Sequence, residues 1–247
     1  MRLGYVAAAL LVYAICFHNT EFNLSSLRSG IPALGDLFAK MLPPEFGYLP
    51  HLIKPTIETI QVGIISTLIS GALALPVAFL AARNLSPSRY VLYPVRFILT
   101  VFRGVSELIW ALIFVVAVGL GPFAGILAIV IFGLGAQAKL LSEAIEATDA
   151  GPIEALTAAG VPRWKAFLFA ACPGVWPQYV AQCLHFWDHN TRAAAILGFV
   201  GGGGLGYNLL QAIGSYQYRK AAVAIILLVG IISVIDRASL YLRRRIV

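Results

Sequence analysis

The chain has 247 residues, of which 60% are hydrophobic and only 12% are charged, with a formal net charge of +7. Soluble domains carry roughly 25% charged residues, so this composition excludes an ordinary water-soluble domain and indicates an integral membrane protein. In such a protein an excess of Lys and Arg marks cytoplasmic loops, and the basic charge therefore does not indicate a nucleic-acid-binding protein.

The longest apolar runs approach the length of about 20 residues that crosses a bilayer. We predict six transmembrane helices, at about 3–18, 57–82, 96–118, 122–141, 177–199 and 221–242. No small-x-small cleavage site follows the first run, so we expect an uncleaved helix and not a removed signal peptide. The sequence predicts an all-α integral membrane protein, in which residues 1–56 hold the first helix and a long outer loop and residues 57–247 form one membrane core.

Lys and Arg are distributed unequally between the two sides of the predicted membrane. If the N-terminus is cytoplasmic, eleven of them fall in inner segments and five in outer segments, leaving out Arg103 and Arg192 within predicted spans. Positive charges favour cytoplasmic segments. We therefore predict that both termini (N-in, C-in) and the segment 142–176 are cytoplasmic.

This cytoplasmic segment contains signals for a short helix between two spans. Asp149 can cap a helix that begins near Pro152, because proline is tolerated in a first turn. Gly160 can end that helix in a left-handed conformation, and Pro162 can begin the next one. We predict a short helix within about 150–162, with small side chains that another surface can approach closely.

The same segment resembles the EAA loop of ABC importer permeases. Glu154-Ala155 is followed by Gly160 and, thirteen residues later, by Pro173. In that family the loop forms a coupling helix that docks into a cleft of an ATPase subunit. Leu156 stands where a second alanine is usual, which keeps the position apolar. The resemblance implies a coupling helix that includes Asp149, Gly151, Pro152, Glu154, Ala155, Gly160 and Pro162.

Three stretches narrow the resemblance to phosphonate importer permeases. They are FRGVSELIWALIFV, EAIEATDAGPIEALTAAG and FWDHNTRAAAILGFVGGGGLG. The resemblance implies a type I ABC importer permease fold and a subunit that translocates phosphonate across a bacterial inner membrane. Phosphite and hypophosphite importers resemble the same group, so these oxyanions, or another small solute, remain alternatives.

The chain contains no GxxxxGK[ST] phosphate-binding loop. We therefore expect no enzymatic activity and no cofactor in this chain, with ATP and Mg bound by a separate ATPase subunit. The resemblance implies a second copy of the chain, two ABC ATPase subunits, a periplasmic substrate-binding protein and the lipid bilayer as partners, and no nucleic acid.

Charged side chains at membrane depth are costly and mark candidate functional sites. In the third predicted span, Arg103 and Glu107 are four residues apart on one helix face and can pair. Such a pair could fix helix packing or contact the substrate. We assign both residues to a candidate translocation path or gate.

The fifth predicted span carries a polar stripe at helical spacing, formed by His185, Asp188, His189 and Arg192. Arg192 could attract an oxyanion, the stripe could line the path, a gate or a dimer interface, or its members could satisfy one another. A metal bound by His185 and His189 is disfavoured, because no third ligand is evident. The glycines that follow could form a hinge or outer gate, or a loose turn; they are Gly201, Gly202, Gly203 and Gly204.

Two other classes of protein fit the sequence poorly. An intramembrane hydrolase using His185 or His189 would need a GxSG-like loop or an HExxH motif, and Ser70-Gly71 lacks the preceding glycine. The EAA-like loop argues against a non-transporting helical scaffold.

Overall fold

The computed structural model describes residues 2–20, 24–149, 151–170 and 172–246, and every regular element within them is a helix. The chain divides into two compact units, residues 1–43 and 44–247. The first unit contains α1 (Arg2–Asn19) and α2 (Leu24–Met41). The second unit contains α3 (Leu49–Ala81), α4 (Arg89–Gly104), α5 (Glu107–Val118), α6 (Pro122–Glu146), α7 (Gly151–Ala158), α8 (Arg163–Ala170), α9 (Cys172–Leu197), α10 (Gly204–Gly214) and α11 (Tyr218–Ile246).

Four stretches of the described chain are long and apolar enough to cross a membrane: Phe46–Ala81, Pro122–Glu146, Cys172–Gly214 and Tyr218–Arg245. They contain α3, α6, α9 and α11, which overlap the second, fourth, fifth and sixth predicted spans. The bent pair of α4 and α5 is a fifth candidate when it is taken as one span. The helix α1 covers the first predicted span, and the total of six spans with both termini inside stays a prediction.

The prediction of one continuous helix over 96–118 is wrong. Two residues, Val105 and Ser106, separate α4 from α5, and the two helices are bent by 92°. Val105 is extended, with φ −96° and ψ 129°. The Ser106 hydroxyl accepts a hydrogen bond from the N–H of Leu108 at 3.4 Å. Serine is a preferred N-cap, so a local capping signal interrupts the apolar run.

The helices α3, α6 and α9 pack closely through small side chains and buried polar contacts. A Cβ added to Gly63 of α3 would lie 3.0 Å from the Cα of Thr191 of α9. On the same helix α3, Ser70 Oγ accepts a hydrogen bond from Gln137 Nε2 of α6 at 2.7 Å. Small residues and interhelical hydrogen bonds are the usual means by which membrane helices associate. This packing fixes the position of α9, which carries all four residues of the predicted polar stripe.

Candidate functional site

The first turn of α7 carries the cap that its sequence predicts. Asp149 Oδ1 accepts a hydrogen bond from the N–H of Gly151 at 3.1 Å. That bond satisfies one of the N–H groups that the first turn of a helix leaves without an intrahelical partner. Pro152 follows within the first turn, where its missing N–H costs nothing. The predicted start of the helix is therefore confirmed.

The C-terminal end of α7 is also as predicted. Gly160 has φ +85°, and its N–H donates to the carbonyl of Thr157 at 3.0 Å. The N–H of Val161 donates to the carbonyl of Leu156 at 3.1 Å. These two bonds form a Schellman motif, in which a left-handed glycine closes a helix. Directly after Pro162, α8 begins, so α7 is a short, separately capped helix.

One face of α7 is exposed and the other is anchored to the core. The side chains of Pro152, Glu154, Ala155 and Ala158 are exposed. Ile153, on the opposite face, packs against a buried cluster of the second unit. Three of these four exposed side chains are small, so another protein surface can approach the helix axis closely. Docking of an ATPase at this face stays a prediction.

The C-terminal ends of α3 and α6 are joined to the middle of α4 beside α7. Glu146, the last residue of α6, accepts a hydrogen bond from the N–H of Arg83 at 2.6 Å and forms an ion pair with Arg96 of α4. Arg96 Nε donates to the carbonyl of Ala81, the last residue of α3, at 2.8 Å. An open cavity of about 560 Å³, lined by Glu146 and by Glu154 of α7, lies between this junction and α7.

Sequence reasoning did not find this junction. In the sequence, Arg83 and Arg96 indicate only cytoplasmic charge, and Glu146 is one acidic residue of the segment 142–176. The partners Arg96 and Glu146 are 50 positions apart. Local spacing indicates partners within one or two helical turns, so it contains no signal for a contact of this kind.

The four polar residues predicted on α9 differ in burial and in partners. Asp188 is 2% exposed and pairs with Arg192, whose side chain is 48% exposed. His189 is half-buried, and its Nε2 lies 3.6 Å from Glu107 Oε1 of α5. His185 is exposed. The interpretation that the residues satisfy one another therefore holds for Asp188 and Arg192, while His189 links α9 to the other predicted cluster.

The predicted pair between Arg103 and Glu107 is wrong. The break between α4 and α5 places the two residues in different helices bent by 92°, so they do not share one helix face. Arg103 is exposed, and Glu107 faces His189 instead. This cross-helix contact joins residues far apart in the chain, and helical spacing could not identify it.

The buried polar atoms at and beside this contact that have no hydrogen-bond partner among the described residues include Glu107 Oε1, Asp188 Oδ1 and His189 Nδ1. The imidazole of His189 stacks on Phe132, with ring centroids 5.8 Å apart and planes at 12°. Buried polar atoms are normally hydrogen-bonded, so this region has capacity to bind water or a polar solute. Within the described ranges, no group of three or more His, Cys, Asp or Glu side chains is placed to hold a metal ion.

The predicted glycine run forms a tightly packed turn between α9 and α10. Gly203 and Gly204 have φ of +74° and +69°, a conformation that residues with a Cβ rarely adopt. A Cβ on Gly203 would lie 2.6 Å from Glu58 Oε1, and one on Gly204 would lie 2.5 Å from Thr59 Oγ1. Thr59 Oγ1 also accepts a hydrogen bond from the N–H of Leu205 at 2.9 Å. The run is therefore packed against α3, and its role as a hinge or gate stays a prediction.

The first two glycines of the run connect the same turn to two other parts of the unit. The carbonyl of Gly201 accepts a hydrogen bond from the N–H of Gly121 at 2.9 Å, just before α6. The N–H of Gly202 donates to the carbonyl of Leu197 at 2.9 Å, at the end of α9. The turn thus joins the loop after α5 to the N-terminal third of α3 and to the end of α9.

Comparison with known proteins places this arrangement among transport proteins. A family described as "Binding-protein-dependent transport system inner membrane component" matches residues 74–247. A phosphite transport system permease protein of Stutzerimonas stutzeri is 34% identical over 98% of this chain and 89% of its own length. A phosphate-import permease protein of Mycolicibacterium smegmatis is 39% identical over 87% of this chain and 41% of its own length.

Solved structures with the same arrangement of helices come from ABC transporters. A chain of the inward-facing MetNI methionine ABC transporter matches with a TM-score of 0.70 at 21% identity, covering 82% of this chain and 99% of its own length. A chain of a bacterial ABC transporter that imports alginate matches with a TM-score of 0.65 at 17% identity, covering 99% of both chains. At these identities the likeness shows the fold alone.

Proposed function

The chain belongs to the family of binding-protein-dependent transport system inner membrane components, and from this premise we propose that it moves phosphonate or a related phosphorus oxyanion across the membrane. As a member of that family it is the permease subunit of an ABC importer, a translocation component and not an enzyme. In this proposal ATP and Mg are bound by separate ATPase subunits, which supply the energy for transport.

The observation that carries the proposal is the structure of α7 and its place in the chain. It is a capped helix of 8 residues with a small exposed face, and it lies between the apolar helices α6 and α9. A helix of this kind gives a soluble partner a surface to bind that is connected directly to membrane-spanning helices. Movement of that partner during its ATP cycle can then be passed to the membrane core.

Two observations support a phosphorus oxyanion as the cargo. One is the identity with permeases that are named for phosphite and phosphate transport. The other is the exposed guanidinium of Arg192 on α9, because guanidinium groups match the geometry of phosphoryl oxygens. Phosphonate is the first candidate, with phosphite, hypophosphite and phosphate as competing members of the same chemical class.

The working assembly in this proposal contains two copies of the chain, two ATPase subunits bound at the two α7 helices, and a periplasmic substrate-binding protein. The chain has six spans with both termini in the cytoplasm, which puts α7 on the side where ATP is present. Binding of ATP closes the ATPases, displaces α7 and turns the central cavity outward, and release of ADP reverses the change.

The test is ATP hydrolysis by the purified complex in proteoliposomes with its binding protein, titrated with methylphosphonate, phosphite, hypophosphite and phosphate. We expect stimulation by at least one of the first three at concentrations where phosphate has less effect. Stimulation by none of the four would exclude the phosphorus cargo. Failure of the chain to form a complex with an ATPase would exclude the permease function as well.

A further inference from the structure

The junction beside α7 differs from the other ion pairs of the cytoplasmic region because it joins three helices. The side chains of Arg96 and Glu146 are 16% and 25% exposed, and each also bonds to the backbone at the end of α3. Next to them, the Nδ2 of Asn84 donates to the carbonyl of Ile145 at 3.1 Å. The C-terminal ends of α3 and α6 are therefore held to α4 by a network of partly buried hydrogen bonds and one ion pair.

The junction also lies at the point where α7 connects to the membrane core. Glu146 ends α6, and α7 begins at Gly151, so only a few residues connect them. Asp149, two residues before α7, accepts a hydrogen bond from the N–H of Gly151 at the start of that helix. Ile153 contacts the buried cluster that contains Ile145 and Ala81. A displacement of α7 is therefore applied first to the ends of α6 and α3.

From this geometry we infer that Arg96 and Glu146 are positioning residues that make α4 move as one body with the C-terminal ends of α3 and α6 when α7 is displaced. The inference rests on the proposed function, since it assigns the displacement to an ATPase bound at α7. With the junction intact, a movement at α7 reaches α4. Without it, the movement is absorbed at the loop 82–88, and ATP is hydrolysed without a matching change in the membrane core.

A second ion pair of α6 provides a matched control. Lys139 Nζ lies 3.1 Å from Glu143 Oε1, one helical turn away on the same helix. This pair has the same chemistry and lies within two turns of Glu146, but it connects no second helix. Glu143→Gln therefore removes an acidic partner from the same helix and leaves the junction in place.

The experiment measures the ATP hydrolysed per methylphosphonate transported by the reconstituted complex. We expect Arg96→Met to raise this ratio about 5-fold or more, the size of effect typical of a lost coupling between sites. Arg96→Lys keeps the positive charge opposite Glu146 but loses the guanidinium N–H that donates to the carbonyl of Ala81. We therefore expect a ratio of ATP hydrolysed to substrate transported between those of the wild type and Arg96→Met. Glu143→Gln keeps the wild-type ratio. An unchanged ratio in Arg96→Met, or an equal rise in Glu143→Gln, overturns the inference.

A second measurement tests the junction even if the complex carries a different solute. The native cysteines, which are all free, are replaced by alanine, and spin labels are placed in both copies of the chain at Tyr90→Cys on α4 or at Leu168→Cys on α8, two exposed positions. The helix α8 packs against α7, and Leu168 lies outside the exposed face of α7. We expect ATP to change the distance between the two labels at either position in the wild type. In Arg96→Met the change at position 168 remains and the change at position 90 is lost. If both changes persist in Arg96→Met, Arg96 does not transmit the movement, whatever the cargo is.

Discussion

Glu107 Oε1 of α5 lies 3.6 Å from His189 Nε2 of α9, and this contact joins the helix that follows the break to the helix that carries the polar stripe. Both side chains are partly buried, with exposed fractions of 20% for Glu107 and 42% for His189. Glu107 and His189, which the sequence presents in separate clusters, are therefore neighbours in the structure, and Asp188 and Arg192 form their own pair on the same helix as His189.

The contact makes a direct prediction about stability. Glu107→Gln removes the carboxylate that lies 3.6 Å from His189, and because this partly exposed contact is too long for a hydrogen bond, we expect a loss of up to about 1 kcal/mol in the free energy of unfolding. Arg103→Gln removes an exposed side chain that is not paired with Glu107, and we expect a change within about 0.5 kcal/mol. Thermal unfolding in detergent measures both. A larger loss in Arg103→Gln than in Glu107→Gln would contradict the arrangement of α4 and α5.

The left-handed glycine at the end of α7 predicts an effect on ATPase binding. An added Cβ at Gly160 meets no atom within 4 Å, so Gly160→Ala acts only through the backbone, at a cost of about 1–2 kcal/mol. We expect the affinity for the ATPase subunit to fall about 5- to 30-fold, as measured by titration of the purified chain with the ATPase.

The control for that variant is Gly174→Ala, at an exposed position in α9 where an added Cβ also meets nothing. Alanine is a better helix former than glycine by about 1 kcal/mol, so this variant is expected to bind the ATPase as the wild type does. Equal losses in the two variants would show that the effect does not come from the cap of α7.

Because the glycine run packs closely against α3, we predict that a larger side chain at Gly203 is not tolerated. Gly203→Ala places a Cβ 3.1 Å from Pro122 Cγ and 2.6 Å from Glu58 Oε1 in a backbone with φ +74°, and this left-handed conformation costs a residue with a Cβ about 1–2 kcal/mol. We expect a lower melting temperature and reduced transport. Gly214→Ala, at the end of α10 where nothing lies within 4 Å, is expected to leave both unchanged. Wild-type stability in Gly203→Ala would show that the turn is loose.

Thr59 offers a test of the same contact from the side of α3. Its hydroxyl oxygen accepts a hydrogen bond from the N–H of Leu205, and the residue is 4% exposed. Thr59→Val has nearly the same shape and removes the acceptor, so the buried N–H is left unsatisfied at a cost of about 1–3 kcal/mol. Thr59→Ser keeps the hydroxyl and is expected to lose less. Denaturant midpoints that rank Thr59→Ser below Thr59→Val would contradict this role.

A double variant distinguishes two roles of Arg192, the ion pair with Asp188 and a contribution to transport. Arg192→Gln leaves the buried Asp188 without its partner, and we expect reduced stability. Asp188→Asn in the same chain removes the unpaired charge and is expected to restore stability without restoring transport, because the guanidinium is still absent. Uptake of radiolabelled methylphosphonate decides the outcome. Full transport by the stable double variant would show that Arg192 only balances Asp188.

The sequence-based predictions are correct where the interacting residues are close in the chain and fail where they are far apart. The caps of α7 depend on Asp149 and Gly160, which act within a few residues, and both were predicted correctly. The break at Ser106 also has a local signal, but the apolar run on either side outweighed it. The contacts of Glu146 with Arg96 and of Thr59 with Leu205 join residues 50 and 146 positions apart. A single sequence does not indicate which residues this far apart in the chain contact each other.

The break between α4 and α5 has a consequence for solvent access. The 12 residues of α5 span about 18 Å of helix, so the extended backbone at Val105 and Ser106 lies deep within the thickness of a bilayer when the bent pair is one span. Hydrocarbon provides no hydrogen bonds, and irregular backbone at that depth must border water or protein. The break therefore identifies a side of the bundle that water or another protein surface covers when the bent pair is one span, and that lipid tails do not touch.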